Sequence, residues 1–217
     1  MEPEKTLFIT EIYKSVQGES SYAGLPCTFI RLSGCPLRCK WCDTVYSFKK
    51  GVEKSLSIIL DEVKKKNCNL VELTGGEPLA QKQSLDLMDQ LIKNNYKVLL
   101  ETSGSISLKE VPEKVHIIMD LKCPDSRMDQ HNNWNNLKFL KPSDEIKFVI
   151  ASRSDFEWAL TKIKEFQLTR NFQILFSPAW GLLKPDLLVE WILDCEVQAR
   201  LNLQQHKYIW NPRKKGV

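Results

Sequence analysis

The stretch GCPLRCKWCDT, residues 34–44, places Cys35, Cys39 and Cys42 within eight positions and follows them directly with Asp43 and Thr44. Thiolates crowded in this way hold a metal or an iron–sulfur cluster. Structural zinc is almost always closed by four ligands, and neither Cys27, Cys68 nor His116 stands at a customary zinc spacing from the triplet. Iron–sulfur clusters are likewise held by thiolates, and three ligands on a four-iron cluster leave one iron open to bind something else. A zinc-stabilised module without catalysis is the alternative reading.

Seven cysteines (27, 35, 39, 42, 68, 123 and 195) are an odd number in a chain of ordinary domain size, which suits metal or redox chemistry better than a disulfide framework. At 217 residues with 42% hydrophobic content, the chain can bury one sizeable core, and one domain over 1–217 is expected. A formal net charge of +4 with scattered lysines calls for neither nucleic acid nor a membrane. No run approaches the roughly 18 to 20 apolar residues of a membrane span. MEPEKTLFIT lacks the basic start and apolar run of a signal peptide, so the expected compartment is the cytoplasm.

The elements that must position the cysteines follow from periodicity. β-rich runs occur at 7–16, 27–32, 69–74, 96–102, 115–121, 145–150, 171–177 and 207–210. Between several of them, Leu56, Ile59, Leu60 and Val63, then Phe156, Ala159, Leu160 and Ile163, then Leu188, Trp191, Ile192 and Cys195 follow the helical i, i+3, i+4, i+7 pattern. Alternating strands and helices imply a parallel sheet, doubly wound or closing towards a barrel. A complete eight-fold barrel takes about 250 residues, so a shortened or open one fits better. The cysteines follow the run CTFIRL, and TGGEP (74–78) follows NLVELT. Both therefore fall at the C-terminal mouth of the sheet, where such folds carry their chemistry.

The C-x3-C-x2-C spacing of Cys35, Cys39 and Cys42 resembles that of the radical S-adenosylmethionine enzymes, and GGEP resembles their second motif. The resemblance implies a shortened, open (βα)6-like partial TIM barrel, here with an N-terminal strand extension. It also implies a 4Fe-4S cluster on the three cysteines, whose open iron is chelated by S-adenosylmethionine; an electron from the cluster then cleaves the sulfonium to a 5′-deoxyadenosyl radical. In such enzymes the cofactor carries the difficult chemistry and the protein positions it.

Flanking stretches narrow the resemblance to the 7-carboxy-7-deazaguanine synthases: EIYKSVQGES (11–20), GLPCTFIRLSGCPLRCKWCDT (24–44), LTGGEP (73–78), LETSG (100–104), DLKCPDS (120–126), FSP (176–178) and QQHKYIWN (204–211). Members of this family contract 6-carboxy-5,6,7,8-tetrahydropterin to 7-carboxy-7-deazaguanine and expel ammonia, on the way to queuosine and other deazapurines. The reaction has no net redox change and counts as a lyase. The resemblance assigns Trp41, Asp43, Gly75, Gly76, Glu77, Gly104, Asp120, Leu121, Lys122, Ser177, Pro178, Ala179 and Trp180 to the cofactor. To the pterin it assigns Val16, Gln17, Gly18, Glu19, Arg31, Thr102 and His206, with Arg31 on the substrate carboxylate. The residues themselves leave an ion pair within the protein equally open for Arg31. The family places Mg2+ on the Thr44 hydroxyl; by sequence alone Thr44 reads as a turn or helix cap. A homodimer and a flavodoxin or ferredoxin electron donor are further expectations. The rival within the superfamily is an activating enzyme for a glycyl-radical protein, in which GCPLRCKWC occurs in similar form.

Overall fold

The computed structural model describes residues 4–217. Its strands are β1 (Thr6–Val16), β2 (Pro26–Leu32), β3 (Val52–Ser55), β4 (Leu70–Gly75), β5 (Lys97–Thr102), β6 (His116–Leu121), β7 (Glu145–Ile150), β8 (Gln173–Pro178) and β9 (Ala199–Leu201). Helices α1 (Leu56–Lys65), α2 (Ser84–Lys93), α3 (Arg153–Glu165), α4 (Pro185–Asp194) and the short α5 (His206–Ile209) complete the regular elements. They start where local chemistry favours a start. The Ser55 and Ser152 side chains accept from the backbone N–H of Ile58 and Asp155, satisfying donors that the first turn leaves free. α4 instead begins with Pro185, a residue preorganised for that position.

All strands join one nine-stranded sheet of order β3-β1-β2-β4-β5-β6-β7-β8-β9. From β2 through β4 to β9 neighbouring strands pair in parallel, while β1 is antiparallel to both β2 and β3. The end strands β3 and β9 are not partners, so the barrel is open. Successive strand residues point to opposite faces, and the two faces differ sharply. Ile30, Leu32, Val71, Leu73, Val98, Leu100, Ile146, Phe148 and Phe176 form the apolar layer packed with Ile59, Val63, Leu87, Met88, Leu91, Phe156 and Leu188 of the helices. The opposite face carries a small apolar cluster at its base (Cys27, Phe29, Leu70, Leu99, Ile118 and Leu175) and polar side chains above it.

The open side is closed by a loop. Antiparallel pairing brings Val16 opposite Pro26, at the start of β2, so the β1–β2 turn lies at the far end of the sheet from the cysteines. It crosses to the segment after β9: the Ser20 N–H donates to Asn202 Oδ1 at 2.7 Å, the Gln205 N–H to the Gly18 carbonyl at 2.9 Å, and Gln204 Nε2 to Glu19 Oε1 at 3.0 Å.

Three sequence expectations are corrected. Residues 207–210 form no strand; they lie in or directly after α5, where the Ile209 and Trp210 N–H groups donate to the Gln205 and His206 carbonyls. A four-residue apolar run does not distinguish the two conformations. The short strands β3 and β9 went unrecognised, and length explains it: each pairs only along one edge, where three or four residues suffice. The helical side of the barrel is also incomplete. The crossover from β5 to β6 contains no α-helix, and that from β6 to β7 uses 3-10 turns at Pro124–Ser126, Asp129–His131 and Trp134–Phe139.

Candidate active site

A cavity of about 960 Å³ occupies the polar face of the sheet. Cys35, Cys39 and Cys42 line it together, and none is in a disulfide. Their loop is held by the Arg38 side chain: Nη1 donates to the Cys35 and Leu37 carbonyls at 2.6 and 2.7 Å, with the guanidinium stacked 4.3 Å from the Phe48 ring. Burial raises all three thiols above their ordinary range, and the Lys122 ammonium opposes that rise. Among the described residues no group of three His, Cys, Asp or Glu side chains is gathered tightly enough for a single metal ion. Three thiols on one cavity are the donor set that a four-iron cluster with one open iron would use.

The GGEP turn is stitched to the cysteine loop. The Gly76 N–H donates to the Leu32 carbonyl at 3.0 Å and the Glu77 N–H to the Gly34 carbonyl at 2.8 Å. A Cβ on Gly76 would collide with the Gly34 carbonyl, and one on Gly75 with that of Leu32; Gly75 also has φ +133. Only glycine permits this approach. Glu77 does not line the cavity. It is fully buried, and its carboxylate accepts from Thr102 Oγ1 at 2.9 Å, the Ser103 N–H at 2.8 Å and Ser103 Oγ at 2.6 Å. The acid thus ties the GGEP turn to the ETSG turn. Gly104 and Leu121 are likewise absent from the lining, whereas Trp41, Asp43, Gly75, Gly76, Asp120, Lys122 and the run Ser177 to Trp180 are part of it.

Asp120 Oδ1 is a buried acceptor with no partner among the described residues, while Oδ2 takes the Lys122 ammonium at 2.8 Å. An orphaned acceptor is costly. This one suits an amino or hydroxyl donor of a bound ligand, and with the glycine cradle it makes the wall fit S-adenosylmethionine.

The residues assigned to the substrate line the same cavity. Val16 lines it from the end of β1, Gln17, Gly18 and Glu19 from the β1–β2 turn, Arg31 and Thr102 from β2 and β5, and His206 from the start of α5. His206 packs against Gly18 so closely that a Cβ there would strike its ring. Arg31 has partners within the protein: Nε donates to Glu11 Oε1 at 2.8 Å and Nη2 to Tyr13 Oη at 2.9 Å. The ion-pair reading of Arg31 is therefore realised in this state, with the guanidinium still at the cavity wall.

Thr44 stands at the cap position of the 3-10 turn Val45–Phe48, but its side chain caps nothing. Its hydroxyl donates to Asp43 Oδ1 at 2.8 Å, so two oxygens face the cavity together. They suit a hard cation if substrate and water supply further ligands. The other Asp43 oxygen accepts from Lys207 Nζ at 2.6 Å. Burial would raise the Asp43 carboxyl, but the Lys207 ammonium together with hydrogen bonds from Thr44 and Gln204 holds the group well below the usual range.

The sequence reading missed the charged floor. Lys147, Glu72 and Glu101 rise from β7, β4 and β5, and Lys147 pairs with Glu101 and, at 2.9 Å, with Glu19. The signal lay in the strands, since EIKFVI, LVELTG and KVLLET each set a charged side chain inside an apolar run. A charge there belongs on the face that is not packed by helices.

Comparison with known proteins agrees with this architecture. Residues 29–168 match the model of the radical SAM superfamily. A 7-carboxy-7-deazaguanine synthase of Koribacter versatilis is 46% identical, covering 96% of this chain and 99% of the relative. One from Chlorobaculum tepidum is 41% identical over the full length of both. The crystal structure of QueE from Escherichia coli superposes with a TM-score of 0.77 at 24% identity, covering 93% of this chain and 95% of that one, which bears on the fold. With the cysteine loop, the glycine cradle and the open sheet in place, this chain belongs to the radical SAM superfamily and, within it, to the 7-carboxy-7-deazaguanine synthase family.

Proposed function

We infer that the chain converts 6-carboxy-5,6,7,8-tetrahydropterin to 7-carboxy-7-deazaguanine with release of ammonia, as a radical SAM lyase. The observation that carries this reading is that one cavity is lined both by the three thiols and by Gln17, Glu19 and Arg31. When bound, the cluster and S-adenosylmethionine supply hydrogen abstraction at a carbon that ordinary acid–base chemistry cannot activate.

The chain's own residues then bind and orient. Glu19, fixed by Lys147, Gln204 and Asn202, accepts from the guanidine-like edge of the pterin, and the Gln17 amide supplies a donor and an acceptor beside it. Arg31 takes the substrate carboxylate with the nitrogen that Glu11 and Tyr13 leave free, a contact that charge makes strong. Thr44, with Asp43 beside it, would hold Mg2+, a hard cation that takes oxygen ligands and would serve to orient the substrate. Trp180, edge to face with Tyr208 at 5.2 Å, lines the cavity and would contact the cofactor. The reading extends to a cytoplasmic homodimer reduced by a flavodoxin or ferredoxin. Among the described residues no helix is long and apolar enough to cross a membrane.

The test is anaerobic reconstitution of the cluster followed by incubation with S-adenosylmethionine, a reductant and the carboxypterin, with and without magnesium. Formation of the deazaguanine chromophore with equimolar ammonia is expected. A brown, cluster-loaded protein that cleaves S-adenosylmethionine and leaves the carboxypterin unchanged would overturn the assignment.

A further inference from the structure

The cavity floor holds more carboxyl groups than the reading above has used. Glu19, Glu72 and Glu101 reach it from the β1–β2 turn, β4 and β5. One buried ammonium serves them: Lys147 pairs with Glu19 and Glu101 and lies 3.8 Å from Asp120. The nearby guanidinium of Arg31 is taken by Glu11 and Tyr13. Glu72 makes no ion pair among the described residues. Its partner is the side-chain amide of Gln17, whose Nε2 donates to Glu72 Oε2 while its Oε1 accepts from the Glu19 N–H at 2.9 Å. Glu72 thus sets the direction of the Gln17 amide, and that amide braces the turn that carries Glu19.

The other oxygen of Glu72 is uncommitted. Among the described residues Oε1 has no hydrogen-bond partner and is not one of the unpartnered polar atoms sealed from solvent, and Glu72 lines the cavity. With only 3% of its surface exposed and no cation bound, an ionised Glu72 would be expensive to bury. Burial first, and then the Glu101 and Glu19 carboxylates, push its carboxyl well above the ordinary range. A neutral carboxyl presents one O–H donor and an acceptor, unlike an ionised one, which only accepts.

We propose that Glu72 is a further specificity-determining residue of this site, fixing the Gln17 amide with one oxygen and meeting a lactam-type edge of the substrate, a carbonyl beside an N–H, with the rest of its carboxyl group. The proposal rests on the heterocyclic substrate inferred above. It divides recognition by charge: Glu19, paired to Lys147, takes the edge rich in N–H donors, and Glu72 takes the edge that mixes donor and acceptor.

The test titrates carboxypterin into the cluster-loaded wild type, Glu72→Leu and Glu72→Gln, with iron content, melting temperature and substrate-free cofactor cleavage measured alongside. Glu72→Leu should bind about tenfold or more weakly, the penalty for leaving polar substrate atoms unmatched in a closed pocket. Glu72→Gln offers the same donor and acceptor and should stay within about threefold of wild type. Iron and cofactor cleavage should not change in either. Unchanged binding by Glu72→Leu, with or without a lower melting temperature, overturns the proposal and leaves the function intact. Glu72→Gln as weak as Glu72→Leu also overturns it, because a negative charge would then be the feature recognised. A wild type that fails to bind carboxypterin overturns the function itself. If Glu72→Leu does not fold, Glu72→Ala, which leaves room for water, is read by the same outcomes.

Discussion

The two walls of the cavity are built by different means. The cysteine wall is made of backbone: Gly34, Gly75 and Gly76 bring main chains into contact, and Glu77 spends its carboxylate binding the ETSG turn. Its residues fall in three short stretches, 34–44, 74–78 and 101–104, and within each the spacing is fixed by covalent geometry. The substrate wall is made of side chains. Lys147, Glu101, Glu72, Glu19 and Asn202 come from separate elements and are held by one another's charges and hydrogen bonds. The first wall tolerates change in distant residues but not in its own glycines and thiols, while the second shares any loss among its members.

The sharpest way to break that contrast is at the thiols. Replacing any one of Cys35, Cys39 or Cys42 with alanine should abolish cluster binding and turnover, since three thiolates are the minimum set left by an open iron. The folded barrel should persist, because these side chains lie outside the apolar layer. Iron per chain near the wild-type value in any of the three variants would contradict the cluster assignment.

On the substrate wall the corresponding change is Lys147→Met. It removes the cation shared by Glu19 and Glu101 and leaves buried carboxylates without a partner, a loss of about 3 to 5 kcal/mol. Lys147 draws the Glu101 carboxyl below its ordinary range against the opposing effect of burial. Without it, that carboxyl should take up a proton at higher pH, so the variant should recover stability as pH falls from neutral towards 5. Chemical denaturation at several pH values checks this. A variant as stable as wild type at neutral pH would show that the floor is not held together by charge.

How much could be seen in the sequence follows the same division. The thiols, GGEP and the apolar strands were legible because each is local: a spacing, a turn, or a period of two. Helices α1, α3 and α4 were visible through their buried stripes, such as Leu56, Ile59 and Val63. Lys147 and Glu72 were not, because only the folded register places β4, β5 and β7 side chains on a common face. The 207–210 segment failed for the opposite reason. Its local pattern is ambiguous, and the helical turn is set by tertiary contacts, with Lys207 drawn to Asp43 and Gln205 to the Gly18 carbonyl. Glu77 was assigned to the cofactor through its motif, whereas in the structure its acid meets Thr102 and Ser103 and does not line the cavity.

Arg31 tests whether one side chain can belong to both descriptions, being tied to Glu11 and Tyr13 and still exposed to the cavity. Arg31→Ala should weaken carboxypterin binding by more than about tenfold, because truncating one partner of a charged pair costs on the order of 2 to 5 kcal/mol. Cluster loading and substrate-free cofactor cleavage should be kept. Normal substrate affinity together with a lowered melting temperature would confine Arg31 to its ion pair with Glu11.

The smallest effect is expected where the two walls meet, at Thr44. Its hydroxyl lies one residue beyond Asp43 and makes no capping bond to the turn that follows, so its removal should leave the fold unchanged. The Thr44 carbonyl, which accepts from the Ser47 N–H at 2.9 Å and Ser47 Oγ at 2.8 Å, survives the substitution and keeps the turn. If the hydroxyl ligates magnesium, and the ion orients the substrate, Thr44→Ala should blunt the response of turnover to added magnesium while cluster and cofactor still bind. A misplacement of about 1 Å can cost on the order of a hundredfold in rate, but Asp43 and the substrate oxygens would still hold the ion, so a smaller loss is expected. Thr44→Ser, which restores the hydroxyl alone, should recover the wild-type magnesium response. An unaltered response in Thr44→Ala would remove the residue from the metal site and leave Asp43 as the oxygen that links the cysteine loop to Lys207.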